Sequence, residues 1–293
     1  MLIALLKTMR PRQWPKNAFV YAALIFDRQL SFGDITPLAR SSAAFLLFCL
    51  LSSAVYIIND LADIEADRRH PTKKNRPIAS GKLSPRVAMI AAIAIVVVTL
   101  PLCYLLSIHL AEIALAYFVV NLAYSNWLKH ISLIDVMVLA SGFVLRVGAG
   151  VVVIQVQRFS PWLYVVTTLL ALFIGFGKRR AEITLLSSEA NAHRKVLAGY
   201  NLNFLDHLIT IVSASTILTY SLYTFSAPNL PDNHSMMLTI PFVLYGVFRY
   251  LYLIHVEQKG GAPEELALTD RPLQVDIILY GIATLIIFYL HPA

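Results

Sequence analysis

The sequence predicts an all-α membrane protein whose helices cross the bilayer many times. Hydrophobic residues make up 58% of the 293-residue chain, charged residues make up only 14%, and the mean hydropathy is +0.67. Apolar stretches of about 20 residues are long enough to span a bilayer as helices. They are too long and too continuous for the strands of a membrane barrel. This composition excludes an ordinary soluble domain.

Nine apolar stretches predict nine transmembrane helices around a central polar cavity in a single domain, residues 1–293. Asp27 and Arg28 interrupt the first stretch, and we assign them no role. The predicted spans cover residues 14–31, 38–58, 86–106, 110–128, 134–155, 161–177, 207–226, 236–255 and 273–291.

The distribution of basic residues predicts the orientation. The N-terminus and every second loop, counted together with Lys16 and Arg86 at the adjoining span ends, hold 19 of the 24 Lys and Arg residues, so the positive-inside rule places them in the cytoplasm, with the cavity opening on that side. The C-terminus then lies outside, and we expect a multi-pass protein of a bacterial cell membrane. Topology and contact with anionic membrane lipids account for the net charge of +7, so we expect no nucleic-acid partner.

An acidic motif follows the second predicted span. Asp60, Asp63 and Asp67 are spaced to share one helical face, and Asn59 adds a neutral oxygen. Clustered carboxylates suit Mg²⁺, which bridges protein oxygens to substrate phosphates. The alternative is a solvated helix end, but charges that abut an apolar span are costly and usually functional. Glu65 points away from this face, and we expect it to contact water.

Basic and polar residues near the same membrane boundary are candidate phosphate ligands. Arg76 lies in a turn-rich loop beside the acidic motif, and a guanidinium binds phosphate in a bidentate manner. Anchoring at the membrane boundary is the alternative for most of these residues and for the whole Arg10–Asn17 segment. A stop-transfer role is the alternative for residues 178–180. The candidates are Lys16, Asn17, Asn59, Arg76, Tyr124, Lys129, Lys178, Arg179 and Arg180.

Three further polar residues lie on predicted spans or at their ends. Asp135 could bind metal, hold a lysine or cap its helix, and Glu182 is another candidate metal ligand. Arg146 lies about three turns inside the fifth span, so it needs an anionic partner, and we expect it to face the cavity and to be a further candidate for binding substrate.

The motif Asn-Asp-x-x-Asp-x-x-x-Asp, the Arg-Pro-Ile-Ala-Ser-Gly loop and the nine predicted spans together resemble the UbiA prenyltransferase superfamily. The chain departs from the usual family pattern after the sixth span. Most members carry a second aspartate-rich motif there, whereas this chain has Gly177-Lys178-Arg179-Arg180-Ala181-Glu182. With the Arg10–Asn17 and Tyr124–Lys129 segments, this resembles the branch of decaprenyl-phosphate phosphoribosyltransferase-like enzymes.

That resemblance implies an activity. The branch moves 5-phosphoribose from phosphoribosyl pyrophosphate to a polyprenyl phosphate, releases pyrophosphate and supplies a cell-wall arabinose donor. It implies that Asp60, Asp63 and Asp67 act in catalysis by holding Mg²⁺ on the diphosphate. A homo-oligomer is left open.

Two other functions stay open at this point. An ordinary prenyltransferase would use prenyl diphosphate and an aromatic acceptor such as 4-hydroxybenzoate, but the basic cluster at 178–180 argues against it. Broken helices at mid-membrane would favour a transporter or lipid-binding protein. Here the polar clusters lie at one end of the predicted spans instead.

Overall fold

The computed structural model describes residues 1–31, 33–70, 73–156, 160–185, 195–228, 230–261 and 263–290, and these residues form helices and connecting turns without strands. The α-helices, in chain order, are α1 (Leu2–Thr8), α2 (Ala22–Phe26), α3 (Thr36–Ala62), α4 (Ile64–Arg69), α5 (Pro85–Leu106), α6 (Ile108–Asn126), α7 (Ile134–Val153), α8 (Pro161–Leu185), α9 (Leu202–Ser226), α10 (Ile240–His255), α11 (Pro263–Thr269) and α12 (Arg271–Leu285). Short 3₁₀-helices cover Pro11–Tyr21, Lys73–Asn75, Leu128–His130, Lys195–Gly199 and Ser235–Thr239, and a π-helical turn covers Ile286–Leu290.

Eight helical segments in the described part of the chain are long and apolar enough to cross a membrane. This confirms the prediction of an all-α, multi-pass membrane protein. The eight segments are Thr36–Ala62, Pro85–Leu106, Ile108–Asn126, Ile134–Val153, Pro161–Thr184, Leu202–Ser226, Ser235–His255 and Arg271–Tyr289.

The predicted first span is the exception. Residues 14–31 do not form one long helix, because a 3₁₀-helix over Pro11–Tyr21 precedes the short α2. Pro15 lies inside this 3₁₀-helix and lacks the N–H that a continuous α-helix would use. The nine-helix count and the cytoplasmic opening of the cavity stay predictions.

Two helices continue beyond the predicted C-terminal ends of their spans, and both extensions carry charged residues. Helix α3 continues to Ala62, so Asn59 and Asp60 are helical, and α8 continues to Leu185 through the basic cluster at 178–180. Hydropathy marks where the apolar part of a helix ends, whereas the backbone hydrogen bonds continue.

The chain divides into two compact units, and the single domain stays a prediction. Unit 1 comprises Met1–Leu24, Gln29–Val138 and Leu145–Val156. Unit 2 comprises Ile25–Arg28, Leu139–Val144 and Gln157–Ala293.

In unit 1, α3 packs against α5, α6 and the N-terminal 3₁₀-helix. Its core includes the fully buried Phe48 and Leu110, with Tyr117 beside them. A Cβ atom at Gly150 would lie 2.0 Å from the Val20 carbonyl oxygen, so only glycine allows α7 to approach the 3₁₀-helix this closely.

Arg40 stabilises the end of unit 1 where α3 begins. Its side chain donates to the Val153 carbonyl oxygen at 2.7 Å and to the Leu106 carbonyl oxygen at 3.0 Å. Carbonyls at helix C-termini have no partner within their own helix and carry partial negative charge, so one arginine satisfies α5 and α7 together.

In unit 2, α8 packs along α9, and α10 packs against α9 and α12. Helix α9 begins with an asparagine cap: the Asn201 side chain accepts a hydrogen bond from the Phe204 N–H at 2.8 Å. One core cluster of this unit contains the aromatic residues Tyr220, Tyr223 and Phe288.

Candidate active site

The acidic motif spans a helix break. Asp60 lies on the last turn of α3, Asp63 lies at the break, and Asp67 lies on α4. The three aspartates therefore do not share one continuous helical face, and that detail of the prediction is wrong. The break directs their carboxylates to cations from three other segments of unit 1. Glu65 is on the outside, as predicted, with 72% of its side chain exposed.

Arg76 joins two of the three carboxylates. Its guanidinium lies 3.1 Å from Asp60 Oδ1 and 2.7 Å from Asp67 Oδ2. These carboxylates are 2% and 4% exposed, so their charge depends on such partners.

The loop that carries Arg76 is fixed by its apolar residues. Ile78 and Leu83 are 1% exposed and pack in one cluster with Ile57 of α3. Gly81 adopts φ +77°, a left-handed conformation that favours glycine. This turn holds Arg76 over the aspartates. Pro71 and Thr72, at the start of the loop, lie outside the described residues.

Arg10 is a second partner of Asp60, and sequence reasoning missed it as an individual site residue. It donates a hydrogen bond to Asp60 Oδ1, and its guanidinium carbon lies 5.0 Å from the centre of the Tyr56 ring. Arg10 itself has φ +54°, which is uncommon for a residue with a side chain and occurs at functional sites. The contact joins residues 50 positions apart, so no local pattern reveals it.

Lys129 completes the set of cations. Its Nζ lies 2.7 Å from Asp63 Oδ1, and the two side chains are 14% and 31% exposed. The lysine comes from the 3₁₀-helix between α6 and α7. The structure thus brings two predicted phosphate ligands, Arg76 and Lys129, to the predicted metal ligands.

The residues around the aspartates suit a divalent cation chemically. Asn59 Oδ1 is buried and accepts no hydrogen bond from the described residues, so its lone pairs are available. Together with three carboxylates, it forms the all-oxygen donor set that Mg²⁺ prefers. Among the described residues, no three His, Cys, Asp or Glu side chains already converge as a metal site. The carboxylates instead hold arginine and lysine.

Asn17 and Arg146, both predicted to bind substrate, hold each other inside unit 1. Arg146 is 6% exposed and donates to Asn17 Oδ1 at 2.7 Å and to the Tyr117 hydroxyl at 2.9 Å. Asn17 is fully buried, and its amide also contacts Cys49 Sγ and Ser52 Oγ of α3, both at 3.3 Å. This network fastens the N-terminal segment to α3 and α7.

Trp14 supports the same attachment. Its indole N–H donates to Ser53 Oγ at 3.1 Å, and Ser53 donates in turn to the Met9 carbonyl oxygen. The Arg10–Asn17 segment is therefore attached to α3 by specific hydrogen bonds, which a role as an interfacial anchor alone does not explain.

Three other predicted residues of unit 1 have defined positions. Lys16 and Tyr124 are half-buried, on the N-terminal 3₁₀-helix and on α6. Asp135 is fully buried in the first turn of α7, a position where a carboxylate interacts favourably with the helix dipole.

In unit 2, the basic cluster of α8 is also paired with acids. Arg179 is 1% exposed and lies 2.7 Å from Glu182 Oε2. Arg180 Nε lies 2.6 Å from Asp206 Oδ1, and its Nη1 donates to the Ile254 carbonyl oxygen at 3.2 Å. Lys178, one turn before Glu182, is half-buried. Arg180 therefore links α8 to α9 and α10, a role that the sequence did not predict.

A further ion cluster fixes the segment between α10 and α12. Arg249 lies 2.6 Å from Asp270 Oδ2 and 3.1 Å from Glu257 Oε1. The hydrogen bond from Arg249 holds the pKa of the Asp270 carboxyl below its usual range. Asp270 also caps α12 by accepting the Leu273 N–H.

Comparison with known proteins identifies the family of this chain and several relatives with a named function. The model of the UbiA prenyltransferase family matches residues 20–265. The chain is 34% identical over 289 residues to a decaprenyl-phosphate phosphoribosyltransferase from Mycobacterium tuberculosis, covering 97% of this chain and 93% of the relative. It is 32% identical to the Corynebacterium glutamicum enzyme of the same name, covering 98% of this chain and 87% of the relative.

The fold also matches a solved structure. A UbiA homolog from Archaeoglobus fulgidus bound to DMAPP and Mg²⁺ aligns with a TM-score of 0.73 at 18% identity, covering 98% of this chain and 99% of that one. At this identity the match concerns the fold alone.

Proposed function

The chain belongs to the UbiA prenyltransferase family, and we propose that it transfers 5-phosphoribose from phosphoribosyl pyrophosphate to a polyprenyl phosphate, releasing pyrophosphate. The observation that carries this proposal is the similarity, over nearly the full length of both chains, to relatives named decaprenyl-phosphate phosphoribosyltransferase. The solved homolog bound to DMAPP supports a shared fold but not a shared substrate.

The abundance of cations fits this substrate pair. Phosphoribosyl pyrophosphate brings a 5-phosphate as well as a diphosphate, and the lipid acceptor brings another phosphate. Arg10, Arg76 and Lys129 lie on the carboxylates of unit 1, and α8 adds Lys178 and Arg179. Guanidinium and ammonium groups form strong, charge-assisted hydrogen bonds with phosphate oxygens.

In this proposal the aspartates and Asn59 hold Mg²⁺. When bound, the ion neutralises charge that develops on the leaving pyrophosphate. Asp60, Asp63 and Asp67 would hold the ion at the membrane boundary, where the diphosphate binds, and Asp135 and Glu182 are further candidate metal ligands. The pairing of Glu182 with Arg179 favours a role in orienting that arginine.

The cations change partners when the diphosphate binds. In the structure, Arg10, Arg76 and Lys129 pair with the three carboxylates. With substrate, the same cations bind phosphate oxygens while the carboxylates receive the metal. Each buried charge then keeps an opposite charge throughout, which avoids the large cost of a buried, unpaired ion.

The transfer itself needs no general base. The C1–O bond to pyrophosphate breaks, and a phosphate oxygen of the lipid attacks C1 from the opposite face, inverting that centre. This oxygen is already anionic near pH 7, because the second pKa of a phosphate monoester is about 6. The protein contributes orientation and electrostatic stabilisation.

Other residues take supporting roles. Asn17 and Arg146 position the N-terminal segment that carries Arg10 and Lys16. Lys16 and Tyr124 add phosphate contacts within unit 1, and Lys178 and Arg179 stay candidate phosphate ligands from the sequence. Arg180 stabilises unit 2 through Asp206 rather than binding phosphate.

The orientation is part of the proposal. The N-terminus and the basic loops face the cytoplasm of a bacterial cell, where a water-soluble phosphoribosyl donor is available, and the prenyl chain extends into the lipid. The segregation of basic residues among the loops supports this arrangement.

A paired assay on the purified chain in detergent with Mg²⁺ tests the function. One reaction contains polyprenyl phosphate and ribose-labelled phosphoribosyl pyrophosphate, and the other contains polyprenyl diphosphate and labelled 4-hydroxybenzoate. We expect label to enter the lipid in the first reaction only. Label entering lipid in the second reaction only would show an aromatic prenyltransferase and overturn the proposal.

A further inference from the structure

Unit 2 contains a cavity of about 270 Å³ that no step of the proposed reaction uses. Helices α8, α10 and α12 contribute most of its lining, and α11 contributes the rest. None of the residues assigned above to metal or phosphate is among the lining residues. Its volume is near the lower end of that of small-molecule sites.

The cavity wall is apolar and rich in aromatic residues. Four aromatic side chains line it: Phe173, Phe242, Tyr250 and Tyr280. Phe173 and Tyr250 pack edge to face, with ring centres 5.2 Å apart. Aromatic rings attract cations over their faces, and groups of rings recognise organic ammonium ions.

One acidic residue, Asp276, lines this apolar cavity. It lies on α12, inside a membrane-length segment, and is 8% exposed. No hydrogen bond or ion pair joins its side chain to any other described residue. A carboxylate in such surroundings is costly, and an intramembrane acid of this kind usually has a functional partner.

Gly246 makes room for this carboxylate. A Cβ atom at position 246 would lie 2.9 Å from Asp276 Oδ2. The glycine on α10 therefore lets the acid lie against the helix backbone at the cavity wall. This close approach keeps the carboxylate within the cavity.

The surroundings of Asp276 do not suit a divalent metal ion as its partner. Mg²⁺ and Ca²⁺ take about six or more oxygen ligands. The cavity offers one carboxylate and the hydroxyls of Tyr250 and Tyr280 among apolar groups. Tyr280 already receives a hydrogen bond from Tyr220. A partner with one positive charge and an apolar body matches the cavity better.

We propose that this cavity binds a monovalent organic ammonium carried on a hydrocarbon chain. The ammonium group pairs with Asp276, the aromatic rings surround it, and the hydrocarbon contacts Leu170 and Val243. This site is separate in its residues from the proposed transfer reaction, so either one can fail without the other.

The test compares octylamine with 1-octanol, which has the same chain and a hydrogen-bonding end but no charge. Binding of each labelled compound to the purified full chain in detergent is measured by equilibrium dialysis against protein-free micelles. We expect one saturable site for octylamine and none for octanol. Asp276→Asn should weaken octylamine binding about tenfold or more, the loss expected for a charged hydrogen bond.

Two further variants keep the result interpretable. Asp232→Asn removes an exposed carboxylate of unit 2 and should leave octylamine binding unchanged. Gly246→Ala should weaken binding by displacing the Asp276 carboxylate, and thermal melting of each variant reports whether it is folded. Equal octylamine binding by the wild type and a folded Asp276→Asn variant would overturn the proposal, as would the absence of a saturable site in the wild type.

Discussion

Replacing Arg76 by glutamine should destabilise the protein and make its stability depend on Mg²⁺. Arg76 lies 3.1 Å from Asp60 Oδ1 and 2.7 Å from Asp67 Oδ2. In Arg76→Gln, Asp60 keeps Arg10, but Asp67 loses its only side-chain partner among the described residues. A buried carboxylate without a partner is costly, so the loss of Arg76 should lower the free energy of unfolding.

The magnitude follows from burial. Breaking a buried ion pair costs about 3–5 kcal/mol. Arg76 is 25% exposed, so water reaches part of the vacated space, and we expect about 3 kcal/mol, the lower end of that range. At about 2 °C per kcal/mol for a chain of this size, the melting temperature should fall by about 6 °C.

Mg²⁺ should restore part of this loss, because it gives Asp60 and Asp67 another cation. Thermal melting in detergent, with and without Mg²⁺, measures both effects. The matched control is Arg69→Gln, since Arg69 is exposed on the neighbouring turn, and it should melt like the wild type. The reasoning fails if Arg76→Gln melts like Arg69→Gln, or if Mg²⁺ raises the melting temperature of the variant no more than that of the wild type.

Three other substitutions test separate parts of the account. Asp63→Asn should abolish Mg²⁺-dependent transfer while changing stability by about 1 kcal/mol or less, because this partly exposed pair with Lys129 contributes little to folding; near-normal turnover would refute the metal assignment. Arg146→Met should lower the free energy of unfolding by about 3 kcal/mol, because Asn17 and the Tyr117 hydroxyl lose a buried charged donor. An unchanged melting temperature would refute the role of this network. The lowered pKa of Asp270 means that its pairing with Arg249 stabilises the fold above the unfolded-state pKa of about 4, and that this stabilisation disappears as the pH falls through the lower folded-state value. Asp270→Asn should therefore be less stable than the wild type at neutral pH, with the difference shrinking in acid, and a pH-independent difference in melting temperature would contradict this.

The sequence predicted the membrane class because the lipid imposes a strong and local rule. Every helix that crosses a bilayer needs a long apolar run, and such runs are visible in one dimension. The segment at 14–31 shows the limit of that rule. Its apolar residues suggested a ninth span, but Pro15 and the packing of Val20 against Gly150 favour a 3₁₀-helix there.

The candidate site was predicted in part, for a similar reason. The acidic motif and Arg76 are close in the chain, so spacing alone places them together. Arg10 reaches Asp60 from 50 residues away, and Lys129 reaches Asp63 from 66 residues away. Lys129 was identified by its position at a span end, whereas Arg10 looked like one of several anchoring cations.

Asn17 and Arg146 show a different limit. Both are polar residues in apolar surroundings, which correctly indicated that each needs a partner. The sequence could not show that they are each other's partners across 129 positions. The helix break at Asp63 was also missed, because no proline or glycine marks it.

In the proposed reaction, the cations that pair with the aspartates become the phosphate ligands. The direct test is equilibrium binding of radiolabelled phosphoribosyl pyrophosphate to the wild type, Lys129→Gln and Asp63→Asn, each with and without Mg²⁺. The account predicts Mg²⁺-dependent binding by the wild type, affinity about tenfold lower in Lys129→Gln, and loss of the Mg²⁺ dependence in Asp63→Asn. Wild-type affinity in Lys129→Gln together with unchanged Mg²⁺ dependence in Asp63→Asn would contradict it.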